Sequence, residues 1–148
     1  MNNFFRIALV TVLVAALPLS AAGIKMQVYK TATCGCCAKW VEHLKANGFD
    51  VTVENVPSTA PYRAKYGVPE AMGSCHTGVV NGYSIEGHVP AREILRLIKS
   101  EAKAKGLAVP GMPMGSPGME AGDRVDAYSV VLFDANGKAS VYQNYPAK

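Results

Sequence analysis

The spacing of hydrophobic positions changes several times along the chain, and it predicts alternating strands and helices. Residues 25–30 place Met26 and Val28 two positions apart, which is the period of a strand. A helix is predicted to begin near residues 34–37 and to run to residue 47, because Gly48 supplies a C-terminal stop. The buried face of this helix carries Trp40, Val41 and Leu44.

The next segments continue this alternation. The same criteria predict a second strand at residues 50–56, a short helix at 58–67 and two strand-like segments within 76–90. Asn81-Gly82 lies between those two segments and is a strong hairpin turn signal. The clearest helix covers residues 91–106, with Pro90 at its start and Gly106 at its end. Its apolar face carries Ile94, Leu95, Leu97 and Ile98.

The predicted order β-α-β-α-β-β-α indicates an α/β fold. The turn after the first strand carries a Cys-x-x-Cys pair, Cys34 and Cys37, and this combination predicts a thioredoxin-like fold. Two segments fall outside that unit. Residues 106–123 are rich in Gly, Pro and Met and are predicted to form a loop. Residues 127–145 predict a C-terminal β-hairpin that turns at Asn136-Gly137.

The N-terminus has the layout of a secretory signal peptide. Arg6 precedes an apolar run at residues 7–19, and small residues follow at 20–22. The run is shorter than the roughly 20 residues of a membrane span. We therefore expect cleavage after Ala22, a mature domain at residues 23–148 and a periplasmic location. An uncleaved signal anchor is the alternative.

The charge of the chain excludes some classes of partner. Arg6 is the one charged residue among residues 1–22, so its removal lowers the formal net charge from +4 to +3. This charge is mild and unclustered, which indicates neither a nucleic-acid partner nor a membrane surface. The acidic and serine residues show no catalytic triad or carboxylate-pair spacing.

Three of the four cysteines lie within the four consecutive residues 34–37: Cys34, Cys36 and Cys37. A thiol at a helix N-terminus lies in the positive end of the helix dipole, which lowers its pKa and favours the thiolate. Cys34 and Cys37 share one side of the first turn, whereas Cys36 points about 100° away from Cys37. Disulfide exchange therefore explains two of these thiols, while a soft metal ion can use all three.

The fourth thiol, Cys75, lies in the loop before the third predicted strand. In a thioredoxin-like fold that loop lies beside the Cys-x-x-Cys turn, so Cys75 would complete a pocket of four sulfurs. A buried free cysteine is the alternative. His76 is either an additional ligand or a core or capping residue. We expect His43 to lie in solvent and His88 to have a capping role, although His88 could also face the cysteine loop.

Methionines form a second group of soft ligands. Met112, Met114 and Met119 fall in the loop, where prolines exclude a regular helix or strand. Thioethers suit Cu(I). The alternative is that these side chains plug a groove on the core.

Copper is the metal that these residues favour. Neighbouring side chains such as Cys36 and Cys37 diverge, which suits one tetrahedral zinc poorly, whereas thiolates that bridge several copper ions tolerate crowding. The first hypothesis is a copper-binding protein that holds Cu(I) in a multinuclear four-cysteine site. An extension of this hypothesis is that the site converts copper between Cu(I) and Cu(II). The second is a thiol–disulfide oxidoreductase in which Cys34 attacks and Cys37 resolves.

Three segments resemble one known family. They are "YKTATCGCCAKWVEHLKANGF", "SCHTGVVNGYSIEGHVPA" and "GLAVPGMPMGSPGME". They are similar to the CopG family of bacterial periplasmic copper-resistance proteins, long described as a domain of unknown function. The resemblance extends from about Met26 to Tyr145 and matches the family's Cys-x-Cys-Cys and Ser-Cys-His motifs.

The resemblance implies a thioredoxin-like fold, cysteine-bound copper in the periplasm and a role in handling or redox-cycling copper. The implied partners are copper ions and periplasmic copper or redox proteins. Whether the protein is an enzyme stays open.

Overall fold

The computed structural model describes residues 22–148. The predicted signal peptide, residues 1–22, lies outside this range except for its last residue. Within residues 22–148, no helix combines the length and the apolar character needed to cross a membrane.

The chain forms three α-helices, seven strands and a short 3₁₀ helix over the described residues. The strands are β1 (Ile24–Lys30), β2 (Phe49–Asn55), β3 (His76–Val80), β4 (Tyr83–Glu86), β5 (Gly106–Ala108), β6 (Tyr128–Phe133) and β7 (Ala139–Tyr145). The helices are α1 (Gly35–Ala46), α2 (Ala60–Lys65) and α3 (Ala91–Ser100), and the 3₁₀ helix is Glu70–Met72.

All the strands belong to one mixed sheet with the order β2-β1-β3-β4-β5-β6-β7. The pairs β1/β2 and β4/β5 are parallel, and the other neighbours are antiparallel. The predicted α/β class, the element order up to α3 and the C-terminal hairpin are therefore confirmed.

The predicted end of α3 is wrong. This helix stops at Ser100, and Glu101 follows it with a left-handed φ of 48°. The chain then turns so that Gly106 lies in β5, where it pairs with Ser84 of β4. A helix continued to Gly106 would leave the exposed edge of β4 without this partner, so sheet pairing overrides the local helix preference.

Helices cover both faces of the sheet. Side chains of α1 and α3 share one core cluster with apolar residues of β1, β2, β3 and β4. On the opposite face, α2 stacks Tyr62 at 4.2 Å from Tyr29 of β1, measured between ring centroids. Because side chains alternate along a strand, neighbouring residues of β4 serve different faces: Ile85 joins the core cluster, whereas Glu86 meets α2.

A long connection joins β5 to β6. These strands are antiparallel neighbours, with Ala108 opposite Val131. The connection at residues 109–127 contains all three methionines of the predicted loop, and we call it the methionine loop. Its predicted start at residue 106 is corrected to 109 because residues 106–108 form a strand.

Candidate metal centre

The cysteine turn begins α1. Cys34 is the N-cap residue, and its sulfur accepts a hydrogen bond from the Cys37 backbone N–H at 3.3 Å. Cys34 and Cys37 form a disulfide, while Cys36 and Cys75 are free thiols. Cys37 is fully buried, and the other three cysteines are half-buried. The turn therefore presents a cystine and a free thiol at the positive end of a helix.

The four cysteine sulfurs lie together, all within 4.8 Å of one another. Cys36 Sγ is 3.5 Å from Cys34 Sγ. Cys75 approaches from the loop before β3, and its carbonyl oxygen is 3.8 Å from Cys37 Sγ. The structure thus brings together the four predicted sulfur atoms, and their role as metal ligands remains a prediction.

Two histidines extend this group around Cys75. His76 Nδ1 and His88 Nε2 each lie 3.2 Å from Cys75 Sγ. Cys75, His76 and His88 form a second set of close potential ligands. The expectation that His88 serves as a cap is therefore corrected, because its ring nitrogen faces the cysteine loop.

Backbone carbonyls fix the tautomer of both imidazoles. His76 Nε2 donates to the Gly87 carbonyl at 2.9 Å, and His88 Nδ1 donates to the Pro117 carbonyl at 2.8 Å. A carbonyl oxygen only accepts, so the proton of each neutral ring lies on the nitrogen that faces the carbonyl. The other nitrogen, with its lone pair, points towards the Cys75 sulfur. Metal-bound histidines commonly have this arrangement.

Burial keeps the metal-free group uncharged at neutral pH. It lowers the pKa of His76 to about 3, with His88 nearby as a second cause, and it also lowers the pKa of His88. Burial raises the pKa of Cys75 to about 12, and the neighbouring Cys36 adds to this effect. A metal ion that binds Cys75 must therefore displace the thiol proton.

His43 has a structural role. Its Nε2 accepts a hydrogen bond at 3.0 Å from the backbone N–H of Ala91, the first residue of α3. The ring is half-buried, and burial lowers its pKa. The expectation that His43 lies in solvent is wrong, because the side chain links α1 to the N-terminus of α3.

The methionine loop lies against the cysteine loops at several points. Ser74 Oγ donates to the carbonyl of Gly111, and the Gly111 N–H donates to Gly73 at 3.4 Å. Further along, the Pro117 carbonyl accepts from His88. Of the three methionines, Met112 is 52% exposed, while Met114 and Met119 are half-buried. Their role as ligands remains a prediction.

Gly118 brings the methionine loop onto α1. Its φ is +88°, and a Cβ at this position would lie 2.7 Å from the Cys36 carbonyl oxygen and 2.8 Å from the Trp40 nitrogen. Only glycine allows this approach without displacing backbone atoms. The loop is therefore packed directly on the first turns of α1, behind Cys36.

A Gly118→Ala substitution is expected to destabilise the protein more than Gly122→Ala. Both glycines have positive φ, but nothing lies within 4 Å of a Cβ at Gly122. Each alanine costs about 1 kcal/mol of backbone strain, and the clash at Gly118 adds roughly 1–3 kcal/mol. Chemical denaturation of both variants measures the difference. Equal free energies of unfolding would show that the loop does not pack on α1 in this way.

The register of the β3–β4 hairpin predicts where His88 lies, and this signal is present in the sequence. Thr77 pairs with Glu86 across β3 and β4. Continuing the same register beyond the strands places Cys75 opposite His88 and His76 opposite Gly87. A two-residue turn at Asn81-Gly82 fixes that register, so the turn signal is sufficient to bring His88 to the cysteine.

Known proteins resemble the chain in both sequence and structure. Residues 72–119 match a family model described as a protein of unknown function, DUF411. Two solved structures, described as copper resistance protein CopG form 1 and form 2, each share 52% sequence identity with the chain and a TM-score of 0.80. The matches cover 84% of this chain and 98% and 99% of theirs. No curated protein matches the chain significantly.

Proposed function

The chain belongs to the family of the copper resistance protein CopG, and from this premise we propose that it binds copper through its cysteine cluster as part of copper resistance. The observation that carries the proposal is the group of four cysteine sulfurs within 4.8 Å of one another. Thiolates select soft metal ions, copper is the metal in the family name, and Cu(I) is its soft oxidation state.

The proposed site holds Cu(I) as a multinuclear cluster. The ligands are Cys34, Cys36, Cys37 and Cys75, because sulfurs this close together can bridge neighbouring metal ions. His76 and His88 supply two further donors beside Cys75. Cu(I) accepts both thiolate and imidazole ligands. Met112, Met114 and Met119 are proposed as additional soft ligands supplied by the methionine loop.

The Cys34–Cys37 disulfide connects copper binding to redox chemistry. A disulfide sulfur is a poor metal ligand compared with a thiolate. Reduction of this bond consumes two electrons and two protons and yields two thiols, which lose their protons when they bind metal. Redox cycling of copper is the further part of the proposal, and the half-buried position of the cluster supports access by small reductants.

The proposed fold class is thioredoxin-like. The order β2-β1-β3-β4, with β3 antiparallel to both of its neighbours, supports it. The position of Cys34 and Cys37 at the start of α1, directly after β1, supports it as well. β5, β6 and β7 extend that unit at one edge.

The amount of copper bound per chain tests the main proposal. Fully reduced protein, loaded anaerobically with Cu(I) and then desalted, is expected to retain copper in proportion to protein. Protein that keeps the Cys34–Cys37 disulfide is expected to retain less, because it offers two thiols instead of four. Elemental analysis gives the copper bound per chain, and a thiol titration of the same samples gives the number of free thiols. Reduced protein that emerges without copper would contradict the proposal.

The proposed location is the periplasm, with residues 1–22 removed as a signal peptide. The mature domain then begins near Gly23, and its proposed partners are periplasmic copper or redox proteins. Mass spectrometry of the protein from a periplasmic extract is expected to show this N-terminus. An intact N-terminus recovered only from membranes would favour the uncleaved signal anchor.

A thiol–disulfide oxidoreductase is the second candidate function. The disulfide between Cys34 and Cys37 favours it, because it is the pair that such an enzyme uses. This mechanism assigns no chemical step to Cys36.

A further inference from the structure

A buried ion pair lies beneath the loop that carries Cys75. Glu86 is fully buried at the end of β4. Its Oε1 accepts from Arg63 Nε at 2.9 Å and from the Ser74 backbone N–H at 2.8 Å, and its Oε2 accepts from Thr77 Oγ1 at 2.6 Å. Three donors therefore satisfy this carboxylate, and one of them belongs to the residue before Cys75.

Arg63 of α2 holds the other backbone group of the same residue. Its Nη2 donates to the Ser74 carbonyl oxygen at 2.8 Å while its Nε bonds Glu86. The planar guanidinium can make both bonds at once because its donors point in fixed directions. The N–H and the C=O of Ser74 are thus both held by one ion pair.

Neighbouring glycines leave the space for this arrangement. A Cβ at Gly73 would lie 2.9 Å from the Arg63 guanidinium. A Cβ at Gly87 would lie 2.6 Å from Ser74 Oγ. The backbone around Ser74 is therefore closely packed on both sides.

We propose that Arg63 and Glu86 are positioning residues that fix Ser74 and so hold the Cys75 sulfur against the cysteine turn. Neither residue belongs to the group of close metal ligands. They lie on the α2 face of the sheet, and their connection to the cluster passes through the Ser74 backbone. The consequence for copper rests on the proposed function, whereas the placement of Cys75 does not.

A second buried carboxylate provides a matched control. Glu93 is 4% exposed, forms ion pairs with Arg96 at 2.7 Å and Arg92 at 3.0 Å, and accepts a hydrogen bond from Tyr145 at 2.8 Å. The hydrogen bond from Tyr145 joins β7 to α3, and these contacts do not involve the cysteine loops. Removal of either buried carboxylate leaves arginine without its ion-pair partner, but only Glu86 contacts Ser74.

The test compares Glu86→Met with Glu93→Met in metal-free protein that keeps its disulfide. Only Cys36 and Cys75 are then free, and iodoacetamide labelling with peptide mapping gives the ratio of their alkylation rates. In Glu86→Met this ratio is expected to rise by roughly tenfold in favour of Cys75, because Ser74 loses its acceptor and the loop opens. In Glu93→Met the ratio is expected to stay at the wild-type value. An unchanged ratio in Glu86→Met overturns the proposal, as does an equal rise in both variants.

A milder pair of variants decides the question if Glu86→Met does not fold. Arg63→Lys keeps the positive charge beside Glu86 but loses the planar fork, and Arg96→Lys is its control. The same rise in Cys75 alkylation is expected for Arg63→Lys only, and its absence overturns the proposal.

A Cu(I) competition with a chromogenic chelator, run on these four variants, tests the copper function separately. If wild-type protein binds no copper, the proposed function fails, and the alkylation ratio still decides the positioning role.

Discussion

Replacement of Cys36 by serine is expected to lower the copper bound per chain as sharply as replacement of Cys34 or Cys37, and Cys75→Ser is expected to do the same. Each of these sulfurs lies within 4.8 Å of the other three. In a cluster of bridging thiolates, loss of one sulfur leaves copper ions under-coordinated. Serine keeps the size of the side chain but offers a hard, mostly protonated oxygen that Cu(I) binds poorly.

The comparison with Cys34→Ser separates the two candidate functions. Cys36 lies 3.5 Å from Cys34 Sγ but is a free thiol, because Cys34 forms its disulfide with Cys37. Copper analysis after Cu(I) loading measures the effect, and the thermal midpoint shows whether each variant folds. Ala38→Ser, at an exposed position of the same helix, controls for an added hydroxyl.

One combination of results would reject the cluster. If Cys36→Ser holds as much copper as wild type while Cys34→Ser abolishes disulfide exchange, the oxidoreductase hypothesis replaces it. Disulfide exchange by a Cys-x-x-Cys pair needs an attacking and a resolving thiol, and Cys36 is neither.

A Trp40→Ala substitution is expected to destabilise the protein by roughly 3–5 kcal/mol. Trp40 is fully buried, as the helix pattern predicts, and its ring centroid lies 4.2 Å from that of His76. Its Nε1 donates to the Val89 carbonyl at 2.9 Å. Alanine therefore leaves both a large cavity beneath the cysteine and histidine cluster and an unpaired buried acceptor.

A Trp40→Phe variant is the control for this effect. It keeps most of the ring and loses the hydrogen bond to Val89, so its cost should be nearer to the 1–3 kcal/mol of one unsatisfied buried group. Urea denaturation of the reduced, metal-free proteins gives both values. A Trp40→Ala protein with the wild-type midpoint would contradict the packing described for this side chain.

Local signals account for most of the fold. The two-residue period of β1, the stripe on α1 and the Asn-Gly turns each act within a few residues, so the sequence predicts these elements directly. The end of α3 depends on a distant partner. Residues 101–105 favour a helix locally, whereas the pairing of Gly106 with Ser84 requires the chain to turn before it reaches β5.

The candidate metal centre shows the same division between local and distant information. Cys34, Cys36 and Cys37 are recognisable from their spacing, and Cys75 follows from its place before β3. The expectation of a cap for His88 follows from its place before α3 alone, whereas the register of the β3–β4 hairpin places it opposite Cys75. The contacts of Arg63 with Glu86 and Ser74 join separate elements through side chains, and neither composition nor periodicity predicts them.

The position of the methionine loop has a consequence for how this family can diversify. The loop leaves β5 and returns in β6, and these strands are hydrogen-bonded neighbours. Its two ends are therefore held close together by the sheet, whatever the length or composition of the segment between them. Insertions near Gly122, where a Cβ would meet nothing within 4 Å, can lengthen the segment while β5 and β6 keep their pairing. The sheet therefore tolerates changes of length in this loop at positions that do not touch α1 or the cysteine loops.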